Sequence, residues 1–564
     1  MKTSPTLRAA ALLLALLLLS ACGAPAQPPE PSAAPVTEAP AETEAPRSGP
    51  YLLQNGECVV DDVDRSAAAE TADNARVFYE IFVGSFSDSD GDGLGDLRGI
   101  INRMDYLNDG DPASGLSLGV EGLWLTPIFR SRSYHKYNVA DYYEIDPGFG
   151  TQADLEELID LCHARNVKLI LDLPINHTDT LHPWFSAFTL AHRTGDTESP
   201  YYDFYSYYNA AGENVPAGRV FQPLAGTTDL YECNFSTDMP ELNFDSEAVR
   251  AAVVDVARYY LEKGVDGFRF DAAKYVYLGD NERSAEFWDW YLDELRAIRP
   301  DGYFVAEVWD GDGVIEDYYS ALDCFAFAVA QPEGLIAQTA MGGPAERYAS
   351  YVGSFLSTVQ AKRPGALYVP FISNHDMDRA AGFLTVASKK MQMGANLCVL
   401  SPGSPFLYYG EELGLRGSRG GDSTDANRRL AMPWGDGDAV QDPEGSTYPT
   451  DNRVDRSAAE QKALDWSLYT YYKRLLMIRQ ANPEIARGEY RALRLNAGKL
   501  GGFVSIWNGG AACVLHNPGL SSASVALSDL GADLTRIAAV IGAEDASLTD
   551  GVLTVGGQTS VVLR

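Results

Sequence analysis

Cysteine is scarce in this chain: there are seven in 564 residues, and no two stand in a CxxC pair. With that spacing no zinc site is implied. Histidine is equally rare, at seven. Positive charge is in deficit, with 44 Lys and Arg against 78 Asp and Glu and a formal net charge of −34. A surface of that sign excludes binding nucleic acid or an anionic membrane through general electrostatics. Long apolar runs are missing too. The one candidate, Ala9 to Leu19, is too short to span a bilayer. No internal repeat stands out. What remains, at 46% hydrophobic and 11% aromatic, is enough to bury more than one core.

The start of the chain reads as an export signal. Lys2 and Arg8 form a positive region ahead of Ala9 to Leu19, and Leu19-Ser20-Ala21-Cys22-Gly23 resembles a bacterial lipobox. Cleavage before Cys22 and lipidation of its thiol are expected, with residues 1–21 removed. This implies a cell-surface or extracytoplasmic protein, lipid-anchored to a bacterial membrane. Residues 23–50 are rich in Pro, Ala, Glu and Thr, cannot bury a core, and read as a tether. With a short pre-barrel segment, the tether region covers 22–73. Cys58, Cys162, Cys233, Cys324, Cys398 and Cys513 are widely spaced, and several sit in apolar contexts that favour free buried thiols.

From residue 74 onward, apolar strand candidates alternate with amphipathic helices. The strands are Val77 to Phe86, Val120 to Phe129, Val167 to Leu173, Val265 to Phe270, Tyr303 to Val308, Cys324 to Val329, Leu367 to Ile372 and Cys398 to Tyr409; Gln152 to Arg165 and Glu247 to Lys263 are among the helices. The expected fold class is α/β: a (β/α)8 TIM barrel over 74–483. Short alternating segments such as GFVSIWNG and SVVLR predict a C-terminal β-sandwich over 484–564.

Four segments carry the chemistry. LILDLPINH (Leu169 to His177), GFRFDAAK (Gly267 to Lys274), FVAEVW (Phe304 to Trp309) and FISNHD (Phe371 to Asp376) each end an apolar run in polar groups. A barrel strand carries its functional groups at its C-terminal end. Arg269 stands two residues before Asp271, so on a strand both point to one face and the guanidinium favours an ionised Asp271. Glu307 has no cation within two positions and lies between Phe304-Val305-Ala306 and Val308-Trp309. That apolar setting would raise its pKa and suit it to donate a proton. A lone acid at a strand end is ordinarily a solvated group or a structural ion pair; four such contexts in one order are not explained that way.

In order and content these segments resemble the conserved regions of the α-amylase superfamily, glycoside hydrolase family 13. The resemblance covers roughly residues 74 to 564. It implies Asp271 as nucleophile, Glu307 as general acid/base and Asp376 as a third carboxylate that holds sugar hydroxyls and stabilises the transition state. It assigns His177 and His375 to hydrogen bonds with the sugar beside the nucleophile, Asp172 to buried support of Arg269, Tyr137 to stacking on the glucose ring, and Lys274 to the leaving-group side. Asn138 stands where relatives often carry Asp, and Tyr275 where a histidine usually follows the lysine. The family inserts its B domain between strand and helix three. Here the insertion is expected at about 178–237, rejoining the barrel at MPELNFD.

The loop DSDGDGLGD places Asp88, Asp90 and Asp92 at alternate positions, with Gly93 for the turn, the Leu94 carbonyl available, and Asp96 behind them. Without a cation these carboxylates would repel one another, so Ca2+ is expected there. The loop looks like that of oligoglucosidase-type members of the family. No Glu stands at the twelfth position, which excludes an EF-hand.

The function expected from the resemblance is a retaining hydrolase of α-1,4 links in starch or maltooligosaccharides. Ala272 after the nucleophile resembles α-1,4-acting members. A 4-α-glucanotransferase or exo-acting α-glucosidase is the alternative within the family, and a noncatalytic glucan-binding lipoprotein the alternative outside it. The expected partners are an α-glucan and, through the lipid only, a membrane.

Overall fold

The computed structural model describes residues 73–209, 215–421 and 424–564, with the backbone of two short strands, Leu53–Gln54 and Glu57–Val59. The leader, Cys22 and the tether lie outside the described residues.

Seven parallel strands form one sheet: β1 (Phe78–Ile81), β2 (Gly122–Leu125), β3 (Lys168–Leu173), β4 (Gly267–Phe270), β5 (Tyr303–Ala306), β6 (Asp323–Cys324) and β7 (Phe406–Tyr408). Their order is β6-β5-β4-β3-β2-β1-β7. The remaining gap is filled by the segment around Val369, which makes a single parallel bridge to Phe325. Ala326 N–H donates to the Val369 carbonyl at 3.0 Å, and Phe406 N–H to that of Pro370 at 2.9 Å. The segment therefore touches both sheet edges and closes a (β/α)8 barrel.

The strands are apolar almost without interruption because helices cover one face and packed barrel side chains the other. Every residue of β3 is buried, Asp172 included. Helix Gln152–Ala164 begins with a capping box between Thr151 and Asp154 and buries Leu155, Leu158, Ile159 and Cys162. Helix Glu247–Glu262 buries Val249, Val253, Val256, Ala257 and Tyr260 at helical spacing.

Three strand expectations change. The run from Cys324 pairs only at Asp323–Cys324 and then coils into a 3-10 turn at Phe327–Val329. Leu367 to Ile372 contributes one bridge, since Pro370 has no N–H to extend a ladder. Cys398 belongs to the helix Lys390–Val399, whose residues from Met391 onward are all buried, and the strand is confined to Phe406–Tyr408. A helix buried on every side shows no amphipathic period, so its sequence reads like a strand.

Between β3 and helix Glu247–Glu262 the chain leaves the barrel. It forms helix Pro183–Thr194 and a three-stranded antiparallel sheet of Tyr207–Asn209, Asp229–Glu232 and Phe221–Pro223. It returns where Glu241 bridges His177 and Leu242 bridges Tyr205. After helix Leu468–Ala481 comes a C-terminal β-sheet domain. A seven-stranded antiparallel sheet runs from Glu489–Ala492 through Gly501–Trp507, Gly510–Asn517, Thr559–Leu563 and Ile537–Gly542; a second sheet joins Ala523–Ala526, Val552–Val555 and Ala546–Thr549. Its outer edge is completed by Glu57–Val59 and Leu53–Gln54, from before the barrel. Nothing in those few residues signals so distant a pairing.

Candidate active site

The four polar segment ends converge at the C-terminal mouth of the barrel. Arg269, fully buried on β4, is at the centre. Its Nη1 lies 2.7 Å from Asp271 and 2.9 Å from Asp172, and its Nη2 donates to Glu307. Asp271 and Glu307 are thus joined to the two terminal nitrogens of one guanidinium. Asp172 also accepts from the Tyr137 hydroxyl at 2.9 Å and from Trp124 Nε1 at 3.2 Å. Glu307 has no cation within two positions in the sequence, but the adjacent strand brings it Arg269, 38 positions away. Burial still dominates. It pushes the Glu307 carboxyl up to about 8, with the charges of Asp271 and Asp376 adding to the effect and Arg269 opposing it.

The backbone at the end of β4 is unusual. Ala272 adopts φ 45° and ψ 45°, a left-handed conformation that costs a non-glycine residue of order 1–3 kcal/mol. The Ala273 N–H then donates to the Glu307 carbonyl at 3.0 Å, which ties the two strand ends together.

Asp376 stands opposite, with its side chain 30% exposed. Against the effect of burial, His375 and Arg429 hold its carboxyl well below the ordinary range. Arg429 Nη2 is 2.6 Å from Asp376 Oδ1, its Nε donates to the His375 carbonyl at 3.1 Å, and its Nη1 donates to Tyr134 at 2.9 Å. His375 lies between Glu80, 2.6 Å from Nδ1, and the Tyr137 hydroxyl, 2.6 Å from Nε2, with Asp376 3.1 Å from Nε2. Its ring stacks on that of Tyr137 at 5.4 Å. Glu80 and Arg429 are site residues that the sequence reading missed. A charged residue inside the apolar run FYEIF was a usable signal for Glu80; Arg429, in an irregular stretch, offered none.

Both histidines implied to touch sugar are buried. His177 sits 2.8 Å from the Asn176 amide and 3.2 Å from the Tyr137 carbonyl, with burial lowering its pKa. Asn138 is buried as well, donating to Asp179 at 2.8 Å, and Asp179 in turn receives Arg132. The opposite wall is open and aromatic. Phe235, 45% exposed, packs 4.5 Å from Tyr275, and Trp309, 43% exposed, stacks 5.2 Å from Phe327. Lys274 Nζ between them donates to the Trp309 carbonyl at 2.8 Å and to Asp310 at 3.1 Å.

In the acidic loop, carboxylate oxygens of Asp88, Asp90 and Asp96 lie within 4.8 Å of one another. Asp88 also accepts from the N–H groups of Asp90, Gly91 and Gly93, while Asp92 accepts from Leu94 N–H at 2.7 Å and stands outside that trio. Asp96 caps helix Leu97–Asn102 through Gly99 N–H. Five cysteines among the described residues, Cys162, Cys233, Cys324, Cys398 and Cys513, are free and buried. Among the described residues no helix is long and apolar enough to cross a membrane.

A family model described as alpha amylase, catalytic domain, matches residues 80–488. The chain belongs to the alpha-amylase family. Alpha-amylase 3 of Dictyoglomus thermophilum is 35% identical over 430 residues, covering 74% of this chain and 79% of that protein. The 4-alpha-glucanotransferase of Thermotoga maritima is 31% identical over 387 residues, covering 66% and 78%. Among solved structures, Eubacterium rectale Amy13B superposes with a TM-score of 0.79 at 33% identity, covering 87% of this chain and 96% of that one. This member of the alpha-amylase family is a glycoside hydrolase, with its carboxylates gathered at the end of the barrel where such enzymes react. A purely sugar-binding role is set aside.

Proposed function

We propose that the enzyme is a retaining hydrolase of α-1,4 links in starch or maltooligosaccharides. One observation carries this reading: a single guanidinium holds both Asp271 and Glu307. The bridge keeps the two carboxyl groups on one side of the barrel mouth, as a pair in which one attacks and the other donates requires. Asp271, paired to Arg269, attacks the anomeric carbon as a carboxylate. Glu307 gives its proton to the glycosidic oxygen as that bond breaks. Water then attacks the glycosyl ester, Glu307 takes its proton, and Asp271 is released. Asp376, kept ionised, faces the developing positive charge and the sugar hydroxyls.

Lys274, Tyr275 and Phe235 supply a cation and aromatic faces for the leaving-group sugars. Asn138 bonds to Asp179 at 2.8 Å and Asp238 at 3.4 Å, so its own side chain offers an amide and no carboxylate to a terminal hydroxyl. Cleavage inside the chain follows. A time course on end-labelled maltoheptaose should show maltose and maltotriose, with little glucose from maltose. Single glucose units released from the first points would identify an exo-acting α-glucosidase. Products longer than the substrate, made in place of new reducing ends, would identify a glucanotransferase.

Two further parts belong to this proposal. Asp88, Asp90 and Asp96 fit a hard divalent cation, with Asp92 and the Leu94 carbonyl near enough in sequence to complete an oxygen shell, and Ca2+ there would brace the loop after β1. Cys22 would carry the lipid that anchors the enzyme to a bacterial membrane, outside the cytoplasm. Cys22→Ala should leave the membrane fraction or go unprocessed; a correctly cleaved Cys22→Ala protein still in the membrane would refute the anchor.

A further inference from the structure

Glu80 has no part in the double displacement, yet it is a carboxylate with 1% of its surface exposed in the first barrel strand. Its Oε1 lies 2.6 Å from His375 Nδ1 and accepts from the His375 N–H at 3.2 Å. The other side of the ring defines where the protons are. Tyr137 has one hydroxyl proton and donates it to Asp172 at 2.9 Å. Its oxygen can therefore only accept from His375 Nε2, 2.6 Å away. Asp376 Oδ2, 3.1 Å from the same nitrogen, is also an acceptor. A ring with an acceptor at each nitrogen must carry a proton on each.

We propose that Glu80 is a positioning residue that keeps His375 as an imidazolium, so that a cation always stands against Asp376 and holds the third carboxylate ionised and in place. Without Glu80, a neutral ring would keep its single proton on Nε2, where the Tyr137 oxygen and the Asp376 carboxylate both accept, and would lose its positive charge. Asp376 would then lose the cation that helps hold it ionised. Burial alone favours the neutral ring, and Asp376 with Glu80 outweighs it, pushing His375 up to about 10.

The charged and titratable groups facing this ring come from every neighbouring element. Glu80 is on β1; His135 and Tyr137 follow β2; Asp172 is on β3; Glu307 follows β5; Asp376 is the residue after His375; Arg429 comes from beyond β7; and Arg269 of β4 stands behind Tyr137 and Asp172. Among the described residues, Glu80 is the one that faces Nδ1. The inference rests on the proposed role of Asp376, but its test reads a charge rather than turnover.

The test is a pH titration of the full chain carrying [13Cε1]histidine. Only seven histidines contribute signals, and His375→Gln identifies the one of interest. In the native chain its signal should stay at the imidazolium position from about pH 5 to about pH 9; in Glu80→Gln it should titrate near the ordinary value of about 6.5. In parallel, kcat/KM of Glu80→Gln should fall above that midpoint and level off at the activity of the uncharged ring, and Glu80→Asp, which keeps the charge, should recover part of the loss. A native His375 that titrates below about pH 8, or a Glu80→Gln signal that does not move, would overturn the proposal. If Glu80→Gln does not fold, the native titration decides alone. A chain inactive on α-glucans with an unchanging imidazolium would refute the proposed substrate and leave this charge assignment standing.

Discussion

Arg429 lies 2.6 Å from Asp376 although 53 positions separate them, and this pair, with His375, holds the third carboxylate ionised. Removing one partner of a buried ion pair costs about 3–5 kcal/mol, because the other is left uncompensated. Arg429→Gln should therefore lower kcat/KM by about a hundredfold or more and lower Tm. Steady-state kinetics and a melting curve check this; wild-type values in both would show that Asp376 does not depend on Arg429.

Asp271→Asn and Glu307→Gln should each reduce turnover by several orders of magnitude, since each removes one half of the double displacement. Circular dichroism should show the native fold in both. Near-wild-type reducing-sugar release from starch by either variant would reassign its role.

Burial pushes the Glu307 carboxyl up to about 8, so the proton needed by the leaving oxygen is present below that pH and lost above it. The expected kcat/KM profile declines as pH rises through about 8. The same shift affects stability. A carboxyl whose folded pKa exceeds its unfolded value contributes stability that is full below about 4.5 and is lost progressively up to about 8. Glu307→Gln, which cannot ionise, should therefore gain in Tm relative to the wild type between those limits. An activity profile flat to pH 10 would exclude Glu307 as the proton donor.

A cation bound by Asp88, Asp90 and Asp96 stabilises only the folded chain, by about 2.7 kcal/mol at a hundred times its dissociation constant. Strong chelator should lower Tm by several degrees, and Asp90→Ala should remove that sensitivity. An identical melting curve with and without chelator, with no calcium by elemental analysis, would argue against the site.

How much of this was legible beforehand depended on the range of the interactions involved. Asp271, Arg269, Glu307 and Asp376 stand at the ends of apolar runs, and a parallel strand buried on both faces must be such a run, so the barrel and its reactive end were readable locally. The short pieces at Val369 and Phe406–Tyr408 were harder: Pro370 cuts the first to a single bridge, and the fully buried helix before the second has the composition of a buried strand. The sequence by itself determined which carboxylates exist and which strands carry them. Only the tertiary structure decided their electrostatics: that Arg269 is shared between Asp271 and Glu307, that Glu80 and Arg429 complete the surroundings of His375 and Asp376, and that Leu53–Gln54 and Glu57–Val59 close the C-terminal sheet. Each of these is a contact between residues far apart in the chain, and Coulomb and hydrogen-bond energies depend on distance in space, which local sequence does not encode.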